Sequence, residues 1–302
     1  MGKEGRIVFY EQIAKNKRNS VFLMFLIILV IIALGSAIGL AVGEGYFFII
    51  MIFAIIISVS YVTIGFYNSD KIALASVNAK EADKVEYKTL YNSVESMSLA
   101  SGMPMPKVYV MPGEQINAFA TGRNPQHSAI CVTEGALKKL DKQELEGVIA
   151  HEIGHVANYD IRFMTLTAVL IGLVAIISEM FLRSLWYSGG GGSGEKDKGQ
   201  AIFLIIGIVL AILAPILTYF VQMAISRKRE YTADATAVKF TRTPTGLISA
   251  LKKIKNDAPM EKGKISKAIA PLFISDPFRK KMANLSSTHP PIEKRIEILE
   301  RM

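Results

Sequence analysis

His151-Glu152-Ile153-Gly154-His155 decides how the rest of this 302-residue chain is read. On an α-helix, residues four apart stand one above the other. Two imidazoles at this spacing therefore reach one metal ion, and the carboxylate of Glu152 stands beside them, close to a metal-bound water. The surrounding residues predict a helix independently: Asp141 and Glu144 form a capping-box start, and Leu145, Val148, Ile149, Ile153 and Val156 recur at helical spacing. Such a pentapeptide also arises by chance on a solvated helix face. Against that, the chain has only 4 His, two of them in the motif, and Gly154 sits mid-helix at a cost of roughly 1 kcal/mol relative to Ala. A glycine at that cost implies that something approaches the helix closely.

With 51% hydrophobic residues and a mean hydropathy of +0.33, the chain is too apolar for an ordinary soluble domain. It is long enough for one catalytic body plus membrane segments. The net charge of +9, from 35 Lys and Arg against 26 Asp and Glu, lies in stretches that flank apolar runs and lack interleaved aromatic residues. That is the pattern of membrane orientation, not of nucleic-acid binding. The single cysteine, Cys131, excludes an internal disulfide and suits a reducing compartment.

Four apolar runs stand out. The first, Val21 to Val42, follows a basic start with Lys3, Arg6, Lys15, Lys17 and Arg18. About 22 residues at ~1.5 Å each span a hydrocarbon core of ~30 Å, longer than the core of a cleavable signal peptide. Gly43, Glu44 and Gly45 turn the chain into a second run, Tyr46 to Phe66. Phe163 to Trp186 and Ala201 to Val221 form a second pair, joined by a Gly-rich polar loop over 188–199 with no capacity to build a core. Within the third run, Glu179 and Arg183 are spaced to pair or snorkel, and Pro215 kinks the fourth. With four spans, the basic stretches fall on one side and the short opposite loops hold only Lys196 and Lys198. Both termini and the His motif are therefore expected in the cytosol. No internal repeat is evident, which disfavours an inverted-repeat transporter.

The chain thus divides into a tail and membrane hairpin (1–66), a cytosolic catalytic region with the His motif (67–162), a second hairpin (163–225) and a C-terminal catalytic region (226–302). In the cytosolic part, Lys80 to Ser101 reads as an amphipathic helix stopped by Gly102 and Pro104, and Lys107 to Met111 as a strand. Gln115 to Thr121 and Ser128 to Thr133 read as two more strands joined across Gly122-Arg-Asn-Pro125. A sheet edge just ahead of the metal helix can take an extended peptide as one more strand, through main-chain hydrogen bonds. Asn117, Ala118 and Phe119 are the candidates for that edge; a purely structural sheet is the alternative.

Two histidines do not complete a catalytic zinc site, which uses three protein ligands plus water. A third histidine further along the same helix is excluded, because Asn158 and Ile161 stand where that pattern needs Gly and His. His127, His289 and several acids remain, and Ser226-Arg-Lys-Arg-Glu-Tyr-Thr-Ala-Asp234 is the best stretch. His155 lies eight residues before the third run and Glu230 nine after the fourth, so antiparallel helices bring both to the same depth, about 12 to 14 Å below the membrane surface at ~1.5 Å per residue. Asp234, one turn on, is placed to accept the free ring N–H of a ligating imidazole. The plain alternative for both acids is a charged juxtamembrane helix.

Taken together, the N-terminal hydrophobic hairpin, Asn117-Ala-Phe-Ala120 with Gly122, the His motif followed by Asp160, the split apolar pair, the 226–234 stretch and Thr288-His-Pro-Pro291 resemble the integral-membrane zinc metallopeptidases of the HtpX type, distant relatives of the CAAX prenyl proteases. The resemblance covers most of the chain; only the 188–199 loop has no counterpart. It implies one zinc ion per chain held by His151, His155 and Glu230, and a multi-pass inner-membrane endopeptidase that acts from the cytosolic side on misfolded or damaged membrane proteins. The expected fold is a mainly α membrane protein, four transmembrane helices with a cytosolic zincin-like α+β domain carrying a small β-sheet.

In such a site Glu152 serves as general base and then general acid, and His289 is a candidate donor to the developing oxyanion, with Arg295 a weaker one. Two other readings compete. A prenyl-protein processing protease shares the chemistry, but four spans leave little room for a large intramembrane chamber. A non-catalytic membrane zinc-binding scaffold needs ligands but no base, and Glu152 argues against it. Sequence alone leaves the substrate and the oligomeric state open.

Overall fold

The structure, a computed structural model, describes residues 9–42, 44–170, 227–258, 269–275 and 290–302. Most of the third and fourth apolar runs, the 188–199 loop and His289 lie outside the described residues.

Helices α1 (Phe9–Val42) and α2 (Glu44–Ala75) form a hairpin. Both are long and apolar enough to cross a membrane, over Ile13–Ala33 and Gly45–Ala75. Phe22, Phe25, Leu29, Phe48, Ile52 and Phe53 are exposed on their outer faces, as suits side chains whose solvent is lipid. The helices touch through small residues: a Cβ on Gly35 would collide with Ala54, and one on Gly39 would press on Phe47. Helix α1 starts at Phe9, well before Val21, so Lys15, Asn16 and Lys17 ride on a helical extension of the apolar run.

The body beyond the hairpin is built on a four-stranded mixed sheet in the order β1-β2-β4-β3. Its strands are β1 (Lys80–Glu81), β2 (Lys107–Met111), β3 (Ala118–Asn124) and β4 (His127–Thr133); β2 and β4 run parallel and the other pairs antiparallel. Alternation sorts the side chains. Val108, Val110, Ala118, Ala120, Ile130 and Val132 face one core with Leu90, Val94, Leu145, Val148 and Ile153. On the other face, Met111, Phe119, Ala129 and Cys131 meet Ala73, Leu74 and Val77 at the end of α2 together with Phe163, Met164 and Phe273. The sheet therefore lies between the metal-motif helix and the end of the membrane hairpin.

Two sequence expectations shift. Helix α3 spans Lys88–Ser101 and not Lys80 to Ser101, because Lys80 and Glu81 pair with Val110 and Tyr109, and the Asp83 carboxylate accepts the N–H groups of Val85 and Glu86 in a turn. Its end is as expected: Gly102, at φ 69°, takes the left-handed conformation that closes the helix. The strand expected over Gln115 to Thr121 is displaced to Ala118–Asn124. The Ile116 N–H donates to Asp257 and the Asn117 N–H to the Thr133 hydroxyl, while the Asn117 side chain accepts the Ala118 N–H, so the regular strand begins only at Ala118. The strand then continues through Gly122, where φ of 137° and the close approach of His127 leave no place for a side chain.

Short α4 (Glu134–Lys139) leads into α5 (Lys142–Ala157), whose start has the predicted capping box between Asp141 and Glu144. After a break at 158–159, helix α6 covers 160–170. Helices α7 (Arg227–Thr241) and α8 (Thr245–Asn256) pack on α5, a 3-10 turn follows at Ala270–Leu272, and α9 (Ile292–Leu299) ends the chain. The α5 to α8 crossing is tight: a Cβ on Gly147 would lie 2.5 Å from the Leu247 backbone nitrogen.

Candidate metal centre

Helix α5 presents His151 and His155 on one face, with ring centroids 4.8 Å apart. Helix α7 brings Glu230 across from them. Its oxygens lie 3.7 Å from His151 Nε2 and 3.5 Å from His155 Nε2. Ligands ~2.0 to 2.2 Å from one tetrahedral centre stand roughly 3.3 to 3.6 Å from each other, so this spacing fits a shared cation. Among the described residues these three form a buried group that can hold a metal ion, with one ligand atom from each within 4.8 Å of the others. Two imidazoles and a carboxylate are a donor set that zinc accepts. Gly154 explains how the two helices come so near: a Cβ there would sit 3.3 Å from the Ala233 carbonyl oxygen of α7.

The ring nitrogens that face away from Glu230 are each held by an acid. His151 Nδ1 lies 2.9 Å from Asp234, the pairing anticipated for a residue one turn beyond Glu230. His155 Nδ1 lies 3.1 Å from Asp160 Oδ2. Both contacts engage Nδ1 and turn Nε2 toward Glu230, the orientation that a metal-ligating imidazole requires. Sequence reasoning quoted Asp160 but gave it no task. On a continuous helix, position 160 points away from 155; the break at 158–159, where Tyr159 has φ of 57°, turns it back.

Arg295, from α9, is fully buried beside this cluster. It forks onto Asp234, with Nε to Oδ2 at 2.9 Å and Nη2 to Oδ1 at 2.6 Å, and donates through Nη1 to the Ile274 carbonyl at 2.9 Å. Its Nη2 is 3.3 and 3.4 Å from the two ring nitrogens of His151, a position across the ring edge and not on one atom. Arg295, the weaker oxyanion candidate in the sequence, has its guanidinium on Asp234, with Nη1 3.5 Å from Glu230 Oε2.

The electrostatics set His151, His155 and Glu152 apart. Burial, helped by the Arg295 charge, pulls His151 down to about 4 despite Asp234. Burial also works against charging His155, but Asp160 and Glu230 outweigh it and lift its pKa well above the usual value. Glu152 is buried, and among the described residues neither of its oxygens is held by a donor at bonding distance and angle, although the Ala120 N–H faces it. Burial, reinforced by Glu230, pushes its carboxyl up to about 7 against the pulls of His155, the Ala120 N–H and Arg295. A buried carboxylate that no donor holds tightly, next to two imidazoles and a second carboxylate, is the arrangement a general base facing water requires.

The predicted substrate edge is an edge strand, but its first positions are engaged by the chain itself. The Ala118 carbonyl accepts the Ile274 N–H at 2.9 Å, and the Asn117 side chain donates to the Ser275 carbonyl at 3.1 Å. Phe119 is core, packed on Phe273 with ring centroids 5.0 Å apart. Ala120, whose N–H faces Glu152, is the next residue whose main chain points to the open edge. His127 opens β4 and pairs with Asn124 at the end of the β3–β4 hairpin, away from the cluster.

Comparison with known proteins agrees with this chemistry. The model of peptidase family M48 matches residues 84–302. Proteins named protease HtpX homolog align along nearly the whole chain. Those of Caldanaerobacter subterraneus and Dictyoglomus thermophilum are 45% and 44% identical, covering 97% of this chain and 97% and 95% of their own. That of Lactobacillus helveticus is 40% identical over 98% of this chain and all of its own length. The crystal structure of S. mikatae Ste24p is similar over 96% of this chain and 66% of its own, with a TM-score of 0.49 and 21% identity, too distant a likeness to say more. With a family match over most of its length and relatives at this identity from end to end, the chain belongs to peptidase family M48 and is a membrane metalloprotease.

Proposed function

We propose that the chain is a zinc-dependent endopeptidase of membrane proteins, with one zinc ion per chain held by His151, His155 and Glu230 and with Glu152 as its base. The observation that carries this is Glu152 itself, buried next to the two imidazoles and the Glu230 carboxylate, with the Ala120 N–H facing it but no donor at bonding geometry among the described residues. A zinc ion held there would polarise the peptide carbonyl and lower the pKa of its water toward ~7. Glu152 takes the proton of the attacking water and passes it to the leaving amine. Asp234 and Asp160 hold the two imidazoles in the tautomer that leaves Nε2 free to bind. The substrate lies along β3 from Ala120, where main-chain hydrogen bonds suit any sequence.

The amino end of α1 and the carboxyl end of α2 both pack on the catalytic body, which supports a hairpin inserted from the side on which the site lies. The positive-inside pattern makes that side the cytosol. Unfolded segments of membrane proteins are the substrates such a juxtamembrane site reaches. The test is Glu152→Gln in the full detergent-solubilised chain: zinc content by elemental analysis stays at wild type, while cleavage of casein falls by about 10²- to 10⁴-fold, the usual contribution of a general base. Retained cleavage, or loss of zinc along with it, would assign Glu152 another role.

A further inference from the structure

The helix that enters the membrane first also touches the metal centre. Asn16, on the cytosolic extension of α1, is buried, and its side-chain amide donates two hydrogen bonds, to the Asn158 carbonyl at 3.1 Å and to Asp160 Oδ1 at 2.7 Å. Both partners are acceptors only, so chemistry forces the NH2 group toward them. Asp160 is thereby held at each oxygen: Oδ1 by Asn16, with Arg229 Nε at 3.6 Å, and Oδ2 by His155 Nδ1. Lys17, the next residue, lies over the Tyr159 ring at 4.3 Å. The contact spans the break at 158–159, which is the part of the chain that turns Asp160 back toward His155.

We propose that Asn16 is a positioning residue of the metal centre, acting through Asp160 on His155, so that the first membrane helix is a working part of the site and not only an anchor. On Oδ1 the 2.7 Å bond from Asn16 is a closer hold than the 3.6 Å ion pair to Arg229; it restricts the swing of the carboxylate about its own bonds and keeps Oδ2 on the imidazole. The hairpin and the metal centre then influence each other: a shift of α1 alters how well His155 is oriented, and metal binding steadies the amino end of α1.

The inference rests on the metal-centre reading, and the experiment separates the two. Zinc affinity of the full solubilised chain is measured by competition with a chromogenic chelator, for wild type, Asn16→Ala, Asp160→Ala, the double variant, His155→Ala and Ser20→Ala. Ser20, buried one turn further along α1, donates its hydroxyl to the Asn16 carbonyl and, among the described residues, bonds to nothing outside its own helix; it serves as the packing control. Asn16→Ala should weaken zinc binding about tenfold, the low end of the ~10- to 100-fold cost of losing an outer partner of a metal ligand. It should add nothing in the Asp160→Ala background, while Ser20→Ala stays within twofold of wild type. If Asn16→Ala does not fold, Asn16→Asp, of the same shape but without the donor, should give a loss at least as large. Unchanged affinity in both Asn16 variants, or an equal loss with and without Asp160, would overturn the inference. If the wild type bound no zinc, or His155→Ala bound it as well, the metal-centre reading itself would fall.

Discussion

Arg295→Met tests how the buried cluster is held together. The guanidinium makes a two-bond fork with Asp234 and a third bond to the Ile274 carbonyl, all at 2.6 to 2.9 Å and fully buried. Burial opposes its charge, but Asp234 and Glu230 more than compensate and hold it protonated. Methionine replaces much of the stem volume, so the loss is chiefly electrostatic. Among the described residues Asp234 then keeps only His151 Nδ1 as a close partner, and the Ile274 carbonyl loses this donor. Removing one member of a buried pair costs about 3 to 5 kcal/mol, and an unsatisfied carbonyl costs roughly 1 to 3 kcal/mol. With His151 still on Asp234, we expect about 3 to 5 kcal/mol in all. At ~2 to 4 °C per kcal/mol, that lowers the unfolding midpoint by about 10 °C. The assay is thermal unfolding followed by circular dichroism in excess chelator, so that metal binding adds nothing to either state. Arg295→Lys, which restores charge without the planar fork, should recover only part of the loss. A drop below ~1 kcal/mol would refute the reasoning, since Asp234 would then not depend on the guanidinium.

Other consequences follow from single contacts. Gly147→Ala places a methyl group 2.5 Å from the Leu247 nitrogen and should cost about 1 to 3 kcal/mol by overpacking, seen as a lower midpoint in the same melt. Asp257 accepts from the Ile116 N–H at 2.6 Å and from Lys139 at 2.7 Å, and although burial opposes it, these donors hold its carboxyl below the usual range. A depressed folded pKa contributes stability above the unfolded value of ~3.9 and loses it as pH falls through the folded one. The gap in midpoint between wild type and Asp257→Asn should therefore be level near neutrality and close below about pH 4. Cys131 is fully buried, and burial pushes its thiol far up. Iodoacetamide should leave it unmodified in the folded chain and label it on unfolding, as read by mass spectrometry.

What the sequence determined by itself is what repeats locally. The capping box, the helical spacing and the i, i+4 histidines all lie within one helix, where local geometry sets which side chains share a face. The apolar runs of α1 and α2 are legible for the same reason, since a membrane span is a matter of length and composition. Glu230 and Asp234 were within reach because their count from the fourth apolar run matches that of His155 from the third, an expectation read from length alone.

Only the tertiary structure decided the rest. Asp160 reaches His155 because the chain breaks at 158–159, and a positive φ at Tyr159 is not written in the identity of that residue. Asn16 meets Asp160 across 144 residues, and Arg295 meets His151 across another 144. The occupation of the Ala118 carbonyl by Ile274 is of the same kind. Such contacts depend on the path of everything between the partners, and the free energy that selects them is the burial and pairing of polar groups in a shared core. No periodicity within either segment carries that information.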